Sequence, residues 1–100
     1  MHIITQKRIN VAKAVFPESA TALDHWYKTM RAGHFRDFSE LRLGFGTMDK
    51  VGKLWVFDIG GNKLRLIAAI HFNTGKVFIR HIVSHADYDK NHWKRQEGLQ

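Results

Sequence analysis

The chain has 100 residues, carries a formal net charge of +7 and contains no cysteine. Its length suits one domain, residues 1–100, with a core of its own, and the absence of cysteine excludes disulfides and thiolate metal sites. So large a basic excess favours a polyanionic partner, either nucleic acid or an acidic protein.

The first third of the chain predicts a short strand and two helices. The β-branched residues within His2–Thr5 indicate the strand. Apolar residues recur at helical spacing from 6 to 16, and this helix should end before Pro17. A second helix is predicted from Glu18, with an apolar stripe at spacings i, i+3, i+4 and i+7. The stripe consists of Leu23, Trp26, Tyr27 and Met30.

The remaining sequence predicts an antiparallel meander. Asp37 can cap a short helical turn, and residues 44–52 are interpreted as a loop. Three strands should follow, Leu54–Ile59, Lys63–Phe72 and Lys76–Val83, joined by tight turns. A terminal helix or turn is expected over residues 86–96. The predicted order is β-α-α-β-β-β-α, an α+β fold with two N-terminal helices packed on one face of an antiparallel sheet.

Alternation along the strands predicts which side chains share a face. In Lys63–Phe72 the even-numbered residues are all apolar and should face the helices, whereas the odd-numbered set, which includes Arg65, should be open. In the next strand neither the even-numbered nor the odd-numbered residues are wholly apolar. Alternation alone therefore does not decide whether Arg80 or His81 lies beside Arg65. We choose Arg80, because burying a guanidinium in the core is unfavourable.

Arginines, a histidine and a tyrosine at one edge of a sheet, with little acid nearby, suit cleavage of a phosphodiester. The guanidinium groups of Arg65 and Arg80 match the non-bridging phosphate oxygens, and Lys63 adds a point charge. His85 and Tyr88 are three residues apart and can project together. They could act as base and acid, since histidine titrates near neutrality and neighbouring cations can lower the pKa of a tyrosine.

Simpler interpretations of the same residues remain open. Arg65 taken alone is equally consistent with an ordinary surface cation, and Tyr88 with a half-buried residue that packs the terminal segment. Asp87 and Asp89 are expected to be solvated or paired with Lys90.

The seven histidines invite a metal site, because His81 and His85 are four apart and His71 could approach from the adjoining strand. The spacings typical of zinc sites are missing, however, and the nearby cations would repel a divalent ion. We therefore expect neither a metal nor another cofactor.

Four segments together resemble one known family: HIIT, LDHWY, VFDIGGNKLRLIAAIHFN and FIRHIVSHADYDKNHWK. The chain resembles the HigB family of toxins from bacterial type II toxin–antitoxin systems, within the RelE-like group. The resemblance implies a RelE-like ribosome-dependent endoribonuclease, an mRNA interferase that acts through attack of the 2′-OH on the adjacent phosphate. It also implies two partners, mRNA on the ribosome and a HigA-type helix-turn-helix antitoxin, whose complex with the toxin contacts operator DNA.

The resemblance also assigns site residues. The segment around the glycine pair, residues 56–66, matches the family at Asn62, Lys63 and Arg65. The C-terminal segment, residues 80–93, matches it at Arg80, His85 and Tyr88. The candidate catalytic residues are Arg65, Arg80, His85 and Tyr88. The candidate RNA-binding residues are Asn62, Lys63, Lys90, Lys94 and Arg95. The chain departs from the family at Asp58, where asparagine is frequent, and this carboxylate could weaken RNA binding.

Two other functions are compatible with the composition. The chain could be a non-catalytic basic module that blocks translation by occupying RNA or the ribosome, or an interaction subunit that docks an acidic protein. The longest apolar run, Leu64 to Phe72, is far shorter than the roughly 20 residues of a membrane span, and we find no signal peptide. We expect a cytoplasmic protein without a membrane partner.

Overall fold

The computed structural model describes residues 1–61 and 63–98 as a five-stranded sheet with helices on both faces. The strands are β1 (His2–Ile3), β2 (Met48–Val51), β3 (Leu54–Ile59), β4 (Leu64–His71) and β5 (Lys76–Ser84). The helices are α1 (Gln6–Val15), α2 (Ala20–Ala32), α3 (Phe38–Gly44), α4 (His85–Asp89) and α5 (His92–Gln96), and a 3-10 turn at Pro17–Ser19 precedes α2. The strand order is β1-β5-β4-β3-β2.

The predicted α+β class is confirmed, but two features of the sheet differ from the prediction. Residues 48–51, which we interpreted as loop, form β2 and pair antiparallel with β3. Asp49 and Lys50 are exposed on this edge strand, so it shows no apolar alternation in the sequence. In addition, β1 pairs in parallel with β5. The sheet is therefore mixed rather than wholly antiparallel.

One side of the sheet, the helix face, packs against α1 and α2. The even-numbered residues of β4 lie there as predicted, and Leu64, Leu66 and Ala68 are buried. The stripe of α2 supplies Leu23, Trp26 and Met30 to the same cluster. Alternate residues of a strand share one face, so a shift of β4 by one residue would turn Leu64, Leu66 and Ala68 away from α2. Burial of these apolar side chains therefore sets the register of the sheet.

The opposite side, here called the C-terminal face, carries Leu54, Val56, Arg65, Ile67 and Val83. We predicted that this face would be open, but α4 and α5 cover part of it. Their anchor is Trp93, which is 2% exposed and packs on Leu54, Val56 and Ile67. The C-terminal helices therefore lie directly over the strand that holds Arg65.

None of the helices in the described part of the chain combines the length and apolar character needed to cross a membrane.

Candidate active site

Arg65 is the centre of the candidate site, and contacts with Asp58, Leu64 and Tyr88 help to hold its side chain in place. Asp58 is its cross-strand neighbour on β3, and Arg65 Nε lies 2.9 Å from Asp58 Oδ1. Arg65 Nη1 donates to the carbonyl oxygen of Leu64 at 3.3 Å. The guanidinium carbon lies 5.6 Å from the centroid of the Tyr88 ring. The side chain is only 11% exposed, so its charge is held in one place rather than moving freely in solvent.

Helix α4 brings Tyr88 to Arg65 and His85 to Lys63. The helix begins directly after β5, where Ser84 Oγ accepts a hydrogen bond from the backbone N–H of Asp87 at 3.1 Å. The backbone N–H of His85 donates to the carbonyl oxygen of Lys63 at 3.1 Å. The start of α4 is thus joined to the residue that precedes β4. Lys63, Arg65, His85 and Tyr88 are here called the Arg65 cluster; within it, Tyr88 contacts the Arg65 guanidinium, and His85 is joined to Lys63 through the backbone.

The His85 imidazole has a carboxylate partner that sequence reasoning left out. His85 Nε2 lies 3.3 Å from Asp89 Oδ2, one helical turn further along. We expected Asp87 and Asp89 to be solvated or paired with Lys90. Asp87 does lie near Lys90, at 3.8 Å, but Asp89 contacts the histidine. The i, i+4 spacing was the signal that could have found this pair.

The pKa of Tyr88 is raised, which is opposite to the expectation that nearby cations would lower it. Burial is the main cause, and Asp49 adds to it, while Arg65 opposes the shift with a smaller effect. Half-buried beside Trp93, the hydroxyl keeps its proton at neutral pH. Such a group is suited to giving a proton rather than taking one.

Arg80 and His81 both reach the C-terminal face because β5 contains a bulge. Ile67 pairs with His81 and Ala68 pairs with Ile79, so Arg80 is the extra residue. We chose Arg80 because burying a guanidinium in the core is unfavourable, and we assumed that alternation allows only one of the two residues on this face. The bulge interrupts that alternation. His81 shares the face of Arg65 directly, and the side chain of Arg80 reaches the same side, where both contact Glu97.

The remaining candidates for RNA binding surround this cluster. Lys63 and Lys90 are exposed near the two ends of α4. On α5, the ammonium of Lys94 lies 5.8 Å from the centroid of the Trp93 ring, and Arg95 is exposed. Asn62 lies outside the described residues.

The site contains more acidic side chains than we expected. Of the nine acidic residues in the chain, four lie within ion-pair distance of candidate site residues. These pairs are Asp58 with Arg65, Glu97 with Arg80, Asp89 with His85 and Asp87 with Lys90. Glu97 gives no signal in the sequence, because its contact depends on the path of α5. Arg65, Arg80 and Lys90 therefore each have an acidic neighbour that partly offsets their charge within the site.

The three histidines considered for a metal site each contact a different residue. His71, at the end of β4, packs edge-on against Phe78, whereas His81 contacts Glu97 and His85 contacts Asp89. Across residues 1–61 and 63–98, no three histidine or acidic side chains converge in a way that could hold a metal ion.

Comparison with known proteins identifies the family of this chain. Residues 19–91 match the family described as HigB toxin, the RelE-like toxic component of a toxin–antitoxin system. The chain belongs to the HigB toxin family. It is 37% identical to the mRNA interferase HigB of Escherichia coli O6:H1 over 93 residues, or 90% of each chain. It is 35% identical to the mRNA interferase toxin HigB of Escherichia coli strain K12 over 92 residues, covering 89% of this chain and 88% of the relative.

Membership of the HigB family confirms three predictions made from the sequence. The chain is a HigB-type protein, it is the toxin component of a toxin–antitoxin system, and it is an endoribonuclease.

Proposed function

We propose that this HigB toxin cleaves translated mRNA on the ribosome, without a metal ion, and so inhibits translation and growth. The observation that carries the proposal is the fixed position of Arg65 beside Tyr88 and α4, in a chain whose relatives are named mRNA interferases. A buried, oriented guanidinium beside a protonated hydroxyl, with an imidazole on the same helix as that hydroxyl, provides the groups that an RNA-cleaving site requires.

The 2′-OH of the message attacks the adjacent phosphate in this mechanism. His85 takes the 2′-OH proton, oriented by Asp89, which lies 3.3 Å from its Nε2. Tyr88 donates its proton to the departing 5′-oxygen, because its raised pKa keeps the hydroxyl protonated. The products are a 2′,3′-cyclic phosphate and a 5′-hydroxyl. Each proton transfer typically contributes about 10²–10⁴ in rate.

Cationic groups stabilise the negative charge that develops on the phosphate. Arg65 and Arg80 act as clamps, and Lys63 supplies a further charge from the start of β4. Such donors are effective because they are already oriented before the charge appears. Phosphates further along the RNA are held by Lys90, Lys94 and Arg95, and Asn62 stays a candidate on its sequence match.

The protein partner in this proposal is a HigA-type antitoxin with a helix-turn-helix domain, and the complex contacts operator DNA through the antitoxin. Family membership supports an antitoxin partner. The site of action is the cytoplasm, where translating ribosomes are found, and residues 1–100 act as one domain. Co-expression with the product of a short adjacent reading frame should yield a complex and restore growth.

Induction of the chain in growing cells, followed by primer extension on messenger RNA, tests the activity. We expect new 5′ ends inside translated messages, and we expect both Arg80→Ala and His85→Ala to abolish them and relieve growth arrest. Growth arrest without new ends would instead support the occupancy mechanism. Unchanged toxicity of both variants would remove these residues from the mechanism.

A further inference from the structure

Glu97, at the end of α5, lies between the side chains of Arg80 and His81, which belong to the β5 bulge. A single carboxylate oxygen, Glu97 Oε2, lies 2.8 Å from His81 Nε2 and 3.2 Å from Arg80 Nε. The side chains of Glu97 and His81 are 12% and 14% exposed, whereas that of Arg80 is 50% exposed. The carboxylate therefore meets a largely buried donor in His81 and a half-exposed donor in Arg80.

A phosphate oxygen could replace this carboxylate oxygen without any change in the donors. Carboxylate and phosphate groups accept hydrogen bonds from arginine with the same geometry. Burial alone would raise the pKa of Glu97, but the hydrogen bonds from His81 and Arg80 outweigh it and lower the pKa. The pair of donors thus selects an anion at neutral pH.

We propose that Arg80 and His81 form a phosphate-binding site for the RNA strand, and that Glu97 occupies it in the free protein as a latch that RNA displaces. The identity of the ligand rests on the proposed function. The latch itself, an internal carboxylate that competes with a bound phosphate, does not depend on cleavage.

The position of this site relative to Arg65 suits a single RNA strand. Arg65 pairs with Val83, and His81 lies two residues before Val83 on the same strand and face. Diagonal neighbours of this kind lie about 7–8 Å apart. Between them the ring of Trp93 stacks on Tyr88 at 5.3 Å and approaches the His81 ring at 6.3 Å. The Arg80–His81 pair therefore lies on the same face as Arg65, where one RNA strand can contact both, and Arg80 can act as a clamp once Glu97 has left.

Glu97 can leave without unfolding the C-terminal helices. It follows the last residue of α5, and α5 is anchored by the buried Trp93, whose Nε1 donates to the carbonyl oxygen of Tyr88 at 3.3 Å. Short terminal segments open locally at low cost compared with the core. A rotation of Glu97 toward solvent would expose Arg80 and His81 while Trp93 stays in place.

The test compares Glu97→Gln with Glu40→Gln in binding of a short single-stranded RNA that carries 2′-O-methyl groups and cannot be cleaved. Glu40 is a matched control, because it also pairs with an arginine, Arg36, at 3.0 Å, but on α3 at the helix face. Glu97→Gln should bind the RNA roughly two- to fivefold more tightly than the unmodified chain, the range expected for release of a partly exposed ion pair. His81→Ala should bind about tenfold more weakly. Glu40→Gln should be unchanged.

A combined variant separates a latch from a purely structural contact. When Glu97→Gln is added to His81→Ala, the gain in affinity should disappear, because the freed site no longer exists. A gain that persists without His81, or no gain over Glu40→Gln, would overturn the proposal.

The unmodified chain provides a second readout should Glu97→Gln fail to fold. The His81 imidazole resonances in an NMR spectrum should shift on addition of the uncleavable RNA, and resonances that do not move would also overturn the proposal. Because these experiments measure binding alone, their outcome is distinct from any failure to cleave mRNA on ribosomes.

Discussion

The helix face and the C-terminal face of the sheet differ in the kind of side chain that they bury. Among the described residues, fifteen buried side chains form the cluster of the helix face, and all of them are apolar. Four buried residues form the corresponding cluster on the C-terminal face, beside the ion pair of Arg65 and Asp58. Burial of apolar surface is the main source of stability. The helix face therefore supplies most of the stability, and the other face can hold charged groups in fixed positions for chemistry.

Truncation at the centre of the helix face should give the largest loss of stability. Phe57 is 1% exposed and packs edge-on against Trp26 and Phe45. Phe57→Ala should lower the free energy of unfolding by about 3–5 kcal/mol, measured by denaturant unfolding. The control is Leu43→Ala, at a side chain that is 88% exposed, and it should stay within about 0.5 kcal/mol of the parent. Equal losses in both variants would contradict the assignment of the core.

Removal of the His85 imidazole should lower the rate of mRNA cleavage and leave the free energy of unfolding unchanged. His85→Ala should lower the rate of mRNA cleavage by about 10²–10⁴, because the proposed base is lost, and should unfold at the same denaturant concentration as the parent. His34→Ala removes another exposed histidine, on the segment between α2 and α3, and should cleave normally. A large loss of stability in His85→Ala would show that the two faces are not separated as described.

Substitution of Asp58 should change both the stability of the protein and its affinity for RNA, by less than the two variants above change stability or cleavage. Asp58→Asn weakens the 2.9 Å contact with Arg65 and should cost about 1.5–3 kcal/mol of stability, the range for hydrogen bonds to charged groups. The released positive charge should at the same time strengthen binding of uncleavable RNA. Stability and RNA affinity measured on the same preparation check this prediction. A variant that loses both would contradict the view that Asp58 restrains the charge of Arg65.

The smallest expected effect is a loss of stability at the end of α5 at acid pH. The pKa of Glu97 is lowered in the folded chain, since hydrogen bonds from His81 and Arg80 outweigh the effect of burial. Its stabilising contribution is therefore complete above the ordinary glutamate value of 4.5 and is lost as the pH falls through the lower folded value. We expect a contribution of about 1 kcal/mol or less. Amide hydrogen exchange in α5 should quicken at acid pH in the parent relative to Glu97→Gln, and identical profiles would contradict this.

The helix face was predictable from sequence because its residues repeat at regular intervals. The stripe of α2 and the even-numbered residues of β4 follow periods of 3.6 and 2, so parity placed Leu64, Leu66 and Ala68 correctly. The edge strand β2 was missed, because Asp49 and Lys50 are exposed and give no apolar alternation. Its formation depends on hydrogen bonds to β3, which sequence periodicity does not report.

The candidate site was predictable in composition but not in its contacts. The motifs identified Arg65, His85 and Tyr88, whereas the bulge at Arg80 interrupts the alternation by which we treated Arg80 and His81 as alternatives. The raised pKa of Tyr88 arises from burial under the C-terminal helices, and that burial is a tertiary effect. Contacts between elements that are distant in sequence, such as Glu97 with His81, required the structure.

Analysis of the RNA ends produced on purified translating ribosomes tests the central claim most directly. The parent chain and His34→Ala should leave a 2′,3′-cyclic phosphate upstream of the cut and a 5′-hydroxyl downstream, and His85→Ala should leave the message intact. Uncut mRNA with the parent chain, or 5′-phosphate ends at the cut, would contradict a mechanism in which the 2′-OH attacks and the side chains of the C-terminal face move the protons.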